Sequence, residues 1–243
     1  MTYCIGMLVR EGLILMADTR TNAGVDNIST YRKLRLYGND GKRLIAVASA
    51  GSLSTTQGAI QRVTKGVPNP ETGKYENWGT FPSIYDAAVA TGRALRQVRD
   101  SMKDLAQPGV NFDATLLVGG SINGEPSRLF LVYSAGNTIE CAPDTPYLQI
   151  GELKYGKPIL DRALHFDTPL NEAMKIGLLS LDSTMRANLA VGLPIDLLVA
   201  DAGAGQARIN MRIEESDDYY LNLSLQWHQK LAKATEELPL PPY

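Results

Sequence analysis

The order of predicted elements points to an α+β fold in which two antiparallel sheets face each other and each is covered outside by a pair of helices. Three observations carry this. Strand-like runs arrive in blocks, four, then four, then two, and each block is separated from the next by two helix-like runs. Consecutive strands close as antiparallel hairpins, whereas a doubly wound parallel sheet needs strict strand–helix alternation. No low-complexity linker or solenoid-type repeat divides the chain, so residues 1–237 are expected as a single unit followed by a Pro-rich arm, residues 238–243.

The elements follow in order. Apolar runs at 2–9 and 13–17 flank Arg10-Glu11-Gly12, a short turn with glycine where positive φ is useful, and predict a β-hairpin. A polar segment, 19–30, precedes a second hairpin, 33–37 and 43–50, closed by Asn39-Asp40-Gly41. Ser52 and Ser83 stand as N-caps of two helices, the first running through Val63 and the second through Leu105, where Pro108-Gly109 stops it. Between them, 66–80 is the longest loop candidate. Short strands follow at 114–119, 129–133, 138–141 and 147–150, punctuated by Gly124, Ala135-Gly136-Asn137 and Pro143. Helical runs at 158–164 and 170–189, strands at 195–200 and 207–212, and an amphipathic stretch at 219–231 complete the chain.

Composition narrows the function classes. With 24 Lys+Arg against 26 Asp+Glu, the formal charge of -2 offers no surplus for a polyanion, so nucleic acid is not expected as a partner. No basic segment leads into a long apolar run, and no run approaches the ~18–20 residues needed to cross a bilayer, which predicts a soluble cytoplasmic protein without a membrane partner. Cys4 and Cys141 lie in apolar stretches and suit buried thiols; His165 and His228 have no His or Cys companion at ligand spacing. No metal or other cofactor is expected.

The chemistry is expected at the beginning of the chain. A hairpin centred near Glu11 sets residues opposite when their numbers sum to about 21 or 22, which brings Asp18 close to Thr2; Lys33, at the start of the next long strand, reaches the same end of the sheet. Removal of Met1 would leave Thr2 with a hydroxyl and an α-amine on adjacent carbons. That amine, with an unperturbed pKa of roughly 7.7–8.0, can take the hydroxyl's proton and so activates its own nucleophile. A lysine ammonium beside it favours the unprotonated amine and the developing alkoxide, and Asp18 would keep that lysine charged and oriented. Gly51, just before a helix N-terminus, would offer its backbone N–H to an oxyanion.

Thr2, the Ala17-Asp18-Thr19-Arg20 segment, Lys33 and Ala48-Ser49-Ala50-Gly51 resemble the proteasome β-subunit pattern of N-terminal nucleophile hydrolases. The stretches ADTRTNAGVDNISTYRK, IGELKYGKPILDRAL and SLDSTMRANLAVGLPIDLLV resemble more narrowly the bacterial proteasome-related family Anbu, for ancestral beta subunit, over essentially the whole chain. The resemblance implies a four-layer αββα sandwich, a threonine peptidase acting on peptide or protein substrates, and self-assembly into a ring or open spiral, a dodecamer among the possible forms. It places the nucleophile on Thr2, its acidic partner on Asp18, the lysine on Lys33 and the oxyanion-hole glycine on Gly51. Where proteasome β-subunits carry Gly-Ser-Gly, this chain has Ile150-Gly151-Glu152-Leu153-Lys154; in the later helix Asp182 takes the acidic position, and Met185 stands where a serine is expected, leaving Ser183 or Thr184 as substitutes.

Other residues have plainer readings. Arg20 is expected to brace its loop by pairing with a carboxylate, with Asp182 and Ser183 supporting the site; Glu152 could support it too but is expected at the surface. Asp201-Ala202-Gly203-Ala204-Gly205 lacks the lysine and following helix of a phosphate cradle and reads as a hairpin turn. Tyr219, Tyr220, Trp227 and Tyr243 suit packing or subunit contact. Two rivals to the peptidase remain: a catalytically weak or silent ring-forming scaffold, and an N-terminal nucleophile amidase acting on small amides.

Overall fold

A computed structural model describes residues 2–22, 28–105 and 110–243. Its centre is the first hairpin, β1 (Tyr3–Val9) and β2 (Gly12–Asp18), paired in the register Cys4↔Ala17 through Val9↔Gly12, a sum of 21 as expected. A short hairpin, β3 (Arg20–Asn22) and β4 (Ile28–Thr30), occupies the segment read as a polar loop. Then come β5 (Leu34–Asn39), β6 (Arg43–Gly51) and α1 (Leu53–Lys65). The 66–80 loop holds two two-residue strands, β7 (Val67–Pro68) and β8 (Tyr75–Glu76). Helix α2 (Ile84–Ser101) ends before the expected Leu105 and passes into a 3₁₀ turn, Lys103–Leu105; the expected Pro108-Gly109 stop lies outside the described residues.

Four strands follow, β9 (Ala114–Ile122), β10 (Arg128–Val132), β11 (Thr138–Glu140) and β12 (Tyr147–Gly151), then α3 (Lys157–Ala163) and α4 (Leu170–Ala187). Strands β13 (Ile195–Asp201) and β14 (Ile209–Ile213) close the sheets, and α5 (Asp218–Glu236) is a longer helix than the amphipathic stretch suggested. Ser52 and Ser83 cap α1 and α2, accepting from Thr55 and Asp86 N–H, and Asp217 caps α5 through Tyr220 N–H.

The strands form two five-stranded antiparallel sheets, β12-β1-β2-β13-β14 and β11-β10-β9-β6-β5. Period-two alternation sorts each strand between two cores. Tyr3, Ile5, Met7, Ile14 and Met16 pack with Leu160, Leu178 and Leu181 of α3 and α4, while Cys4, Leu13, Leu15 and Ala17 face Ala46, Ala48, Leu117 and Leu129 of the other sheet. On the far side, Ile45, Val47, Leu116 and Val118 meet Ala59, Val63, Ala87 and Leu95 of α1 and α2. The result is four layers, αββα. A sheet covered on both faces has no polar face, which is why β1 and β2 read as nearly unbroken apolar runs. Small residues between the sheets keep them close: a Cβ on Gly6 would stand 2.8 Å from Leu129 Cδ2. Among the described residues no helix is long and apolar enough to cross a membrane. Residues 238–243 have no regular structure and are exposed.

Candidate active site

At the open end of the first hairpin, backbone pairing stops at Cys4↔Ala17, and a side chain takes over: the Asp18 carboxylate accepts the Tyr3 N–H at 3.0 Å through Oδ1. On the other edge of β1, Tyr3 lies opposite Gly151, and the Thr2 carbonyl accepts the Glu152 N–H at 2.7 Å. Thr2 is therefore held by the strand on one side and by Asp18, through its neighbour, on the other.

Lys33 precedes β5 of the opposite sheet, its backbone carbonyl accepting the Ser49 N–H of β6. Its Nζ donates to Asp18 Oδ1 at 2.7 Å and to the Arg20 carbonyl at 2.6 Å. Both charged side chains are buried, with 1% and 0% exposure for Lys33 and Asp18. Two ions taken out of water are costly unless their remaining valences are filled. For the carboxylate they are: Asp18 also receives Tyr3 N–H and, at 3.4 Å, Gly192 N–H. Burial pushes the Asp18 carboxyl above its usual range, while the Lys33 charge and these hydrogen bonds pull it back. Beneath the pair, Cys4 Sγ points to the Ser49 carbonyl at 3.7 Å, and burial drives its thiol far upward, so it is an inert packing group.

Two glycines flank this end of the sandwich. Gly51 ends β6 at φ +95°, opposite Ala114, and a Cβ there would overlap the Asp113 carbonyl. Gly151 ends β12 at φ +86°, and a Cβ would overlap the Thr2 carbonyl oxygen. Position 151 itself therefore has no room for a side chain, and Glu152 is the next residue that carries one. Both glycines line an apolar cleft of 320 Å³ between the sheet ends, with Ala50, Leu131, Ile150 and Leu153 on its walls.

Glu152 belongs to this neighbourhood more closely than its sequence suggested. Its carboxylate accepts the N–H groups of Leu153 and Lys154, both at 2.9 Å, and the Asn188 amide at 3.0 Å. Burial raises its pKa, but these donors outweigh burial and hold it below the usual range. Asn188 is the C-cap of α4 and Gly192 follows four residues later; neither stands out in the sequence. Asn188 signals itself only as a polar residue ending an apolar helical run.

The supporting residues divide. Arg20 braces the loop after α4, as expected, but through the Leu189 carbonyl at 3.0 Å instead of a carboxylate, and its guanidinium lies against Gly192 where a Cβ would overlap it. Asp182 is not brought to the Asp18–Lys33 pair: Oδ1 accepts from Ser224 of α5 at 2.6 Å and Oδ2 from Arg186 at 3.1 Å. Ser183 is half-buried on α4 and its hydroxyl makes no hydrogen bond among the described residues. Among those residues no three His, Cys, Asp or Glu side chains cluster as metal ligands do.

Two face-to-face sheets between helix layers, with the hairpin's open end presenting Thr2 beside a buried carboxylate–ammonium pair, make this a protein of the proteasome β-subunit type. The chain is 27% identical over 211 residues to proteasome subunit beta 2 of Pyrobaculum calidifontis, covering 86% of this chain and 94% of that one. No protein-family model matches. Among solved structures, Anbu from Yersinia bercovieri superimposes with a TM-score of 0.89 at 42% identity over 99% of both chains. Anbu from Hyphomicrobium sp. strain MC1 gives 0.89 at 40% over 99% of this chain and 100% of that one, and the helical assembly of the Anbu complex from Pseudomonas aeruginosa gives 0.87 at 40% over 99% and 98%. The chain belongs to the Anbu, or ancestral beta-subunit, family.

Proposed function

We propose that this protein is a threonine peptidase subunit that hydrolyses peptide bonds with Thr2 after removal of Met1. Thr2 Oγ attacks the carbonyl carbon while the Thr2 α-amine takes the hydroxyl proton. The tetrahedral intermediate, its oxyanion held by Gly51 N–H, collapses with cleavage of the C–N bond, and the proton leaves with the departing amine. Water then attacks the Thr2 ester, releasing the acid and restoring the hydroxyl. Lys33 supplies positive charge beside the amine and the developing alkoxide, and Asp18 orients Lys33.

The observation that carries this reading is the doubly committed carboxylate: Asp18, buried together with Lys33, binds Tyr3 N–H, one residue from the nucleophile, and Lys33 Nζ. Copies of this chain assemble with one another into a ring or open spiral, a reading supported by the helical assembly of the Pseudomonas aeruginosa relative. A small-amide substrate is the variant of the same chemistry, separated by comparing dipeptide amides with protein substrates.

A silent assembling scaffold is the second reading, favoured by Asp182 facing α5 and by Ile150-Gly151-Glu152-Leu153-Lys154 offering no serine beside Thr2. The deciding experiment takes protein whose intact mass confirms a free Thr2 and incubates it with a peptide epoxyketone. An adduct mapped to Thr2, absent in Thr2→Ala, supports the peptidase; no adduct on the confirmed free terminus leaves the scaffold.

A further inference from the structure

Asp18, Asp182, Asp196 and Glu152 are the buried carboxylates among the described residues. The three aspartates each have a cation: Lys33 on Asp18 at 2.7 Å, Arg186 on Asp182 at 3.1 Å and Arg212 on Asp196 at 2.8 Å. Glu152 is 7% exposed and makes no ion pair among the described residues. Neutral donors hold it instead, Leu153 and Lys154 N–H on Oε1 and the Asn188 amide on Oε2. They keep it ionised, with its pKa below the usual carboxylate range. A carboxylate offers about four acceptor sites, so Oε2 has room for one more donor. A buried anion without a cation is a costly arrangement that calls for one.

The chain brings its own terminus to this carboxylate's residue. Glu152 N–H donates to the Thr2 carbonyl at 2.7 Å, and a Cβ on the preceding Gly151 would stand 3.4 Å from Thr2 Cβ. While Met1 is attached, the Thr2 nitrogen is a neutral amide; removal of Met1 turns it into an ammonium. The other charges around it are already committed. Lys33 and Asp18 neutralise each other, Arg20 is turned to the Leu189 carbonyl, Asp182 to Arg186 and Ser224, and Asp196 to Arg212 and Arg32. Lys154 is exposed, where water screens its charge. We propose that Glu152 is the counter-ion of the Thr2 ammonium and so a positioning residue for the nucleophile: it holds the new amine beside its own hydroxyl and sets the pH at which that amine becomes a free base. This rests on the reading of Thr2 as the processed terminus. An anion beside an amine favours the ammonium, whereas Lys33 favours the free base, so Glu152 fixes the amine but delays its deprotonation to higher pH.

The test reads the amine itself and needs no turnover. Full-length protein with a free Thr2, confirmed by intact mass, is acylated with trace acetic anhydride across the neutral and alkaline range, and the label on the half-buried Thr2 is quantified by peptide mass spectrometry. Glu152→Gln is expected to lower the midpoint of amine reactivity by about one pH unit. Asn188→Ala removes a tether but leaves the charge, and should move the midpoint far less. Lys33 reports folding in the same spectra, because at 1% exposure it stays unlabelled until the chain opens. Where Glu152→Gln opens it, Glu152→Ser removes the same charge and takes its place. The inference is overturned if the midpoint is the same with and without the Glu152 charge, or if Asn188→Ala moves it as far. Failure of the peptidase reading shows separately, as no epoxyketone adduct on a Thr2 whose amine still titrates.

Discussion

The two ends of the first hairpin each carry an ion pair of nearly the same length, and they are physically opposite. At the turn, Arg10 and Asp167 meet at 2.6 Å with 67% and 74% of their side chains exposed; at the open end, Lys33 and Asp18 meet at 2.7 Å with 1% and 0% exposed. Water screens the first pair, and its two long side chains lose entropy in holding one geometry. The second has no water to fall back on, so each partner depends on the other and on the N–H groups aimed at Asp18. Separation alone therefore says little about these pairs; desolvation is what sets them apart.

The comparison can be broken most sharply at Lys33. Lys33→Ala leaves Asp18 buried without its cation and is expected to cost about 3–5 kcal/mol in urea unfolding at neutral pH. The loss should shrink in acid. Because burial raises the Asp18 pKa in the folded protein, the folded state holds that proton more readily than the unfolded chain. The contribution of Asp18 to stability therefore declines as pH rises above the ordinary carboxylate range. Removing the opposing lysine raises the folded value further, so urea midpoints of Lys33→Ala should fall more steeply with rising pH than those of the wild type.

Next comes Gly151→Ser, which places a side chain at φ +86° against the Thr2 carbonyl. A loss of about 2–4 kcal/mol is expected, from left-handed strain and overpacking together, and the displaced Thr2 should react more slowly with the epoxyketone even where the variant is folded. Asn188→Ala removes one donor from Glu152 while the Leu153 and Lys154 N–H groups remain; about 1 kcal/mol in thermal unfolding is its expected cost. The smallest effect belongs to the turn: Arg10→Ala should change stability by less than about 1 kcal/mol and lose even that in high salt. A large Arg10 effect, or a negligible Lys33 effect, would remove the distinction between the two ends.

Much of this site was legible because its parts are local to a hairpin. Gly12 and the period-two runs set the register, the register placed Asp18 near Thr2, and the one lysine at the start of the next long strand supplied the counter-charge. Gly192 and Asn188 were not legible. They lie more than 150 residues from Asp18 and Thr2 in the chain and contribute a backbone N–H and a capping amide, groups that leave no pattern in residue types. Asp182 illustrates the converse. Its residue type suited a supporting carboxylate, but its orientation depends on where α5 docks, and Ser224 and Arg186 take both oxygens. The β3–β4 hairpin escaped notice because three-residue polar strands carry no apolar alternation.

Sequence alone determined the layer order, the first hairpin and its register, and the placing of an acid and a base at one end of it, because strand alternation and short turns act over a few residues. Tertiary structure alone decided which charges lose their water, which glycines touch another backbone, and which way each polar side chain of α4 turns. Those outcomes depend on two sheets and two helix layers closing on one another, and burial is a property of the assembled packing that no local stretch of chain contains.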